Sequence, residues 1–210
     1  SAVDRHKLDD YRPYIYKTKD HGKSWSLIAN GISESAYVHA VREDPERTGL
    51  LYAGTEVGVF FSLDDGSHWY PLQLNLPTTP IHDLVVKKND LVVATHGRSF
   101  WVLDDIAPLR QIDANTENKE TLLFIPQPAY RLHYPSERES RRPVGENPPP
   151  GAIIDYYFKT APKGEVTLQI FDNEGKLIKT LSSIEKKEAE QPPEWPDQFK
   201  EIKTIPASAG

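Results

Sequence analysis

Short apolar runs broken by eighteen prolines and twelve glycines, an eight-residue box that occurs twice, and four strand-like runs per box interval together predict the fold class. That class is all-β: a partial β-propeller of about two and a half four-stranded blades, then a partial immunoglobulin-like β-sandwich. The box reads Ser/Thr-x-Asp-x-Gly-x-x-Trp. Its copies hold Thr18, Asp20, Gly22 and Trp25, then Ser62, Asp64, Gly66 and Trp69, offset by 62 − 18 = 44 residues. An interval of that length with four strands is the period of a propeller blade.

The elements follow in order. Residues 1–3 read as a strand remnant and 4–13 as a long polar loop. Residues 14–18 alternate as a strand should, the first box turns the chain, and 24–29 return. The second repeat has strands over 37–42, 50–54, 59–63 and 68–72. A divergent third copy has strands over 81–87, 90–95 and 99–103. Aligning Phe61-Ser62-Leu63-Asp64-Asp65-Gly66 with Trp101-Val102-Leu103-Asp104-Asp105-Ile106 gives a decayed box, as expected of an end repeat. Residues 121–126 are expected to complete this blade or close the ring. The propeller part is thus predicted over 1–126 and a linker over 127–151, with a charge run at 136–142 and Pro148-Pro149-Pro150. Arg141-Arg142 is a lesser candidate for an anion site. From 152 a second β unit begins, with strands over 153–158, 165–171 and 176–181 and a hairpin turn at Asp172-Asn173-Glu174-Gly175. Residues 184–196 are expected to be mobile. A sandwich needs about seven strands, so this unit is expected to be truncated at Gly210. The chain also begins abruptly in a strand-like segment, and its start is expected to be a cleavage or cloning boundary.

Composition narrows the function classes. Charged residues make up 27% and hydrophobic ones 38%, an ordinary folded composition. The formal charge of −6 argues against nucleic acid as a partner. The absence of cysteine removes disulfides and thiolate chemistry. No apolar run approaches the ~20 residues of a membrane span. No cofactor motif occurs: phosphate loop, dinucleotide fingerprint, nucleophile elbow and zinc spacing are all missing.

Each residue of the box has a turn-forming role. The aspartate accepts hydrogen bonds from amides of its own turn. The glycine allows positive φ. The Ser/Thr hydroxyl adds a local bond, and the tryptophan opens the outgoing strand and is expected to bury its ring between blades. These residues are therefore expected to be structural rather than catalytic.

The two boxes resemble the Asp-box, or bacterial neuraminidase repeat, of sialidases, xyloglucan-cleaving glycosidases and sortilin-type propellers. With Leu51-Tyr52-Ala53-Gly54-Thr55-Glu56 and the stretch from Ala94 to Asp105, the chain is similar to the final blades of large secreted bacterial proteins of the glycosyl hydrolase or sortilin-like group. The resemblance spans roughly 1–182. It implies an extracellular or periplasmic location and an immunoglobulin-like domain after the propeller. It also implies a binding site on the face opposite the boxes.

Strand alternation puts the second-to-third turns on that opposite face. They carry Asp4, His6, Asp9, Asp10, Glu56, His96 and Arg98, which are the ligand-binding candidates. The set is suited to a sugar, a peptide carboxylate or a metal; Asp4, His6, Asp9 and Asp10 are a lesser candidate for an oxygen-rich cation site. Tyr37, Tyr52 and Tyr70 are expected to pack strands.

Two functions follow from the sequence. The first is a binding or scaffold module for a glycan or protein partner. The alternative is part of a carbohydrate-active hydrolase, sialidase- or xyloglucanase-like, with its catalytic carboxylates mostly outside this chain; Glu56 with Asp4 or Asp10 is the pair placed on one rim. A closed ring needs four to eight blades. Self-association, or the remainder of a parent chain, is the expected means of completing it.

Overall fold

The computed structural model describes residues 1–113, 115–130, 151–184 and 205–208. The charge run at 136–142 with Arg141 and Arg142, Pro148-Pro149-Pro150, and the stretch 185–196 lie outside the described residues. The described residues are all-β apart from short helical turns and form five small antiparallel sheets, and the chain divides into two compact units, Ser1–Asp113 and Ala114–Gly210.

The first unit is a stack of three sheets. Sheet one pairs β1 (Tyr16–Lys17) with β2 (Ser26–Leu27), and Ala2 bridges Ile15 at its edge. Sheet two runs β3 (Val38–Glu43), β4 (Leu51–Thr55), β5 (Val59–Ser62) and β6 (Tyr70–Pro71) in sequence order. Sheet three holds β7 (Ile81–Lys87), β8 (Asp90–Thr95) and β9 (Phe100–Leu103). The central strand β4 is buried along its whole length. Because side chains alternate across a strand, Leu51 and Ala53 join the core shared with sheet one, while Leu50 and Tyr52 join the core shared with sheet three. Sheets two and three approach closely at Gly54, where a Cβ would lie 2.7 Å from Ile81 Cγ2. An ion pair of 2.6 Å between Arg42 and Asp83 also links them.

Both boxes close their turns in the same way. Thr18 Oγ1 donates to Asp20 at 2.9 Å and accepts from the Gly22 amide at 2.8 Å. Ser62 Oγ makes the corresponding bonds to Asp64 and Gly66, each 2.9 Å. Asp20 accepts the Ser24 amide, and Asp64 the His68 amide, each at 2.8 Å. The residue after each aspartate sits in the left-handed region, His21 at φ 57° and Asp65 at φ 63°, and the glycine after it at φ 89° or 87°. The second of these positive-φ steps falls on the glycine, the residue that adopts it at least cost. Lys17 forms an ion pair with Asp65, joining sheet one to the second box.

The two tryptophans differ, contrary to the expectation that both are buried between blades. Trp69 is buried at 3% exposure against sheet one, whereas Trp25 is 52% exposed. Sheet one packs on sheet two through Ile15 and Ile28, whereas Trp25 is tied to its own turn, with Nε1 donating to the Gly22 carbonyl at 3.2 Å.

The third repeat corrects the sequence alignment by one residue. Val59 pairs with Gly54 and Phe100 with Ala94, so Phe100 is the counterpart of Val59 and Leu103, not Val102, the counterpart of Ser62. The cause is the β8–β9 turn, one residue longer than the β4–β5 turn: the amide of Thr55 bonds Gly58, while that of Thr95 bonds Ser99. Asp64 then matches Asp105. With no second positive-φ glycine after it, the chain enters a short helix, α1 (Ala107–Gln111), in place of a fourth strand. Arg110 of α1 donates to both oxygens of the fully buried Asp44 at 3.0 Å, to Asn89 at 2.7 Å and to the Lys88 carbonyl at 2.7 Å.

In the second unit, β10 (Thr121–Leu123) pairs with β11 (Tyr156–Phe158), so the 121–126 strand does not extend sheet three. A hairpin joins β12 (Thr167–Phe171) to β13 (Leu177–Ser182) through the predicted turn, where Asp172 accepts the Glu174 and Lys176 amides.

Candidate functional site

The β4–β5 and β8–β9 turns lie at the end of the sheets opposite the box turn, because successive strands are antiparallel. At that end the rings of His6, Tyr37, His39, His82 and His96 form a continuous row. Neighbouring centroids are 5.0, 4.9, 4.9 and 4.9 Å apart. Tyr11 adds a tilted contact to Tyr37 at 6.1 Å. Aromatic contacts at such spacing are individually modest, and their value here is positional.

The backbone builds this row. In β3 the register slips between Val38 and Ala40, and in β7 between Ile81 and Asp83. The slips fall on His39 and His82, which hold the same position in their repeats. A bulge re-aims the side chain it contains, and here it turns two imidazoles to the same rim.

Two carboxylates join the row. Glu56 Oε2 lies 3.0 Å from His39 Nε2, and the Tyr37 hydroxyl donates to the same carboxylate. Burial alone would raise the Glu56 carboxyl; the bonds from His39 and Tyr37 outweigh it and hold it below its usual range. Burial, and then the bond to Glu56, push the Tyr37 phenol up to about 12. Asp4 sits on His6 Nδ1 at 2.6 Å and accepts the His6 amide at 2.9 Å. Burial works against its ionisation, and the His6 bonds again win, so its carboxyl is lowered.

Of the expected residues, Asp4, His6, Glu56 and His96 share this row. Asp10 does not. Its carboxylate turns to Arg12, with two bonds of 2.9 Å, and to the Tyr14 hydroxyl at 2.7 Å, which hold it far below the carboxylate range. Asp9 is exposed at the left-handed end of a short 3₁₀ turn over His6–Leu8. The oxygen-rich cation site is therefore a corrected expectation: Asp4 and His6 bond each other, Asp10 turns to Arg12 and Tyr14, and no metal-competent group of three or more ligands occurs among the described residues. Arg98 is exposed beside His96, and among the described residues it bonds through its backbone, its carbonyl accepting Trp101 Nε1 at 2.9 Å.

Sequence reasoning missed His39 and His82, and it assigned Tyr37 to packing alone. Tyr37 is buried, yet its hydroxyl orders Glu56. The available signal was the recurrence of an apolar-His pair, Val38-His39 and Ile81-His82, at the start of each first strand.

No protein-family model matches the chain, and no curated protein sequence matches it. No helix among the described residues is long and apolar enough to cross a membrane.

Proposed function

We propose that this chain is a segment of an Asp-box β-propeller protein, followed by an immunoglobulin-like unit, and that it serves as a binding or scaffold module for a glycan or protein partner. Support for the propeller comes from three sheets whose strands lie side by side in sequence order and which share a core at each junction. The observation that carries the binding role is the ring row on the rim opposite the boxes. Ring faces and ring nitrogens side by side offer apolar contact and hydrogen bonds to a polar ligand. An extracellular or periplasmic location belongs to the same reading.

The hydrolase alternative has less support. A glycosidase needs one carboxyl kept protonated as general acid. Both rim carboxyls, Asp4 and Glu56, are instead held below their usual range by imidazoles.

Two assays separate the readings. A glycan array and a panel of chromogenic glycosides are run on the chain and on Glu56→Gln. The binding role predicts ligand capture that weakens in Glu56→Gln, and no turnover. Turnover that disappears in Glu56→Gln would replace the binding role with catalysis.

A further inference from the structure

Among the described residues sheet three ends at β9, whose outer edge has no partner strand, while the matching strand β5 pairs with β6. Beside that edge lies an apolar cleft lined chiefly by Val59, Leu72, Leu76, Leu91, Val93 and Trp101. These are the repeat counterparts of Ile15, Ile28, Ile32, Leu51, Ala53 and Phe60, the residues clustered around Trp69 one repeat earlier. The match extends to the backbone. The Ile28 amide donates to Ile15 at 2.8 Å, and the Leu72 amide to Val59 at 2.8 Å. The cleft thus repeats the pocket filled by Trp69, which reaches the Ile28 carbonyl with Nε1 at 2.7 Å and the Asn30 carbonyl with its amide at 2.9 Å. Five residues after Asp64 comes Trp69; five after Asp105 comes Arg110, which lies on α1 and is turned to Asp44.

The geometry points to a strand-docking site at β9. Its occupant is an extended segment of another polypeptide that pairs with the β9 edge and inserts a tryptophan into the Leu72–Leu76 cleft. Addition of a strand to a free edge supplies main-chain bonds, and the pocket supplies side-chain selectivity. The internal junction defines the occupant's chemistry: an indole whose N–H reaches the Leu72 carbonyl, followed by residues equivalent to Tyr70-Pro71. Val102 at 53% and Leu74 at 72% exposure leave the approach open.

The test uses the isotope-labelled full chain and a synthetic peptide copying residues 66–73. Saturable amide shifts are expected at Val102, Leu103 and Leu76. The same peptide with alanine at the Trp69 position should bind at least tenfold more weakly, as should the native peptide to a Leu74→Asp chain of unchanged thermal midpoint. Equal binding of the alanine peptide, or shifts confined to other surfaces, would overturn the site. So would a concentration-dependent dimer, dispersed by Leu74→Asp, because the cleft would then belong to a second copy of the chain.

Discussion

Trp69 donates its indole N–H to the carbonyl of Ile28 at 2.7 Å, a bond across 41 positions that ties sheet two to sheet one. The ring is otherwise enclosed by apolar side chains of both sheets. Its box counterpart Trp25 is half exposed.

Trp69→Ala should therefore destabilise the first unit by about 3–5 kcal/mol, the usual range for emptying a tryptophan site in a core. Trp25→Ala should cost under about 1 kcal/mol, as surface changes do. Denaturant unfolding of both variants checks this; equal losses would mean that the two boxes are packed alike.

The box aspartates make stability depend on pH. Hydrogen bonds from Ser24, side chain first and then backbone, with one from Thr18, hold Asp20 at about 2. Burial would raise Asp64, but bonds from His68 and Ser62 leave it lowered. A carboxyl lowered by folding stabilises the native state above its unfolded value, near 4, and loses that contribution as pH falls through the folded value. Asp20→Asn and Asp64→Asn should lower Tm at pH 6 and have little effect at pH 2. Asp64→Ala should cost about 1 kcal/mol at neutral pH, comparable with loss of a cap. Thermal melts across pH 2–7 decide this, and a pH-independent deficit would exclude the linkage.

Arg110 and Asp44 form a pair with 9% and 0% side-chain exposure. Arg110→Ala leaves a buried carboxylate without its cation, so the expected loss is about 3–5 kcal/mol. Asp44 would still hold the Glu46 and Arg47 amides. Chemical denaturation measures the loss; a cost below about 1 kcal/mol would show that α1 is not anchored through this pair.

Tyr52 is fully buried, and its hydroxyl has no hydrogen-bond partner among the described residues. Burial pushes the phenol well above its usual range. Removing an unsatisfied hydroxyl while keeping the ring is expected to be neutral or to stabilise by up to about 1 kcal/mol. Tyr52→Phe should raise the denaturant midpoint at constant m-value, and a clear loss of stability would reveal a partner for the hydroxyl.

Much of the strand plan was legible. The strands over 81–87 and 90–95 have the bounds that matching to the repeat predicts, and the Asp172 turn stands where its composition puts it. Such features depend on neighbours along the chain. The third box was misaligned because one extra residue in the β8–β9 turn changes the register without changing the local pattern. The rim was half legible: Glu56 and His96 sit in turns marked by glycine, whereas His39 and His82 lie within strands and reach the rim only because each occupies a bulge.

By itself the sequence determined the repeat, the two box turns and the end of the sheets at which to seek a site, because turn chemistry and strand alternation are local. Tertiary structure decided which copy of a repeated residue does what. Trp69 is core and Trp25 is surface because only one has a sheet against it. Asp10 leaves the rim because Arg12 and Tyr14 are nearer partners. Four histidines and a tyrosine become one row because two bulges and the stacking of successive sheets bring them together; along the chain only the recurring apolar-His pair hints at that contact.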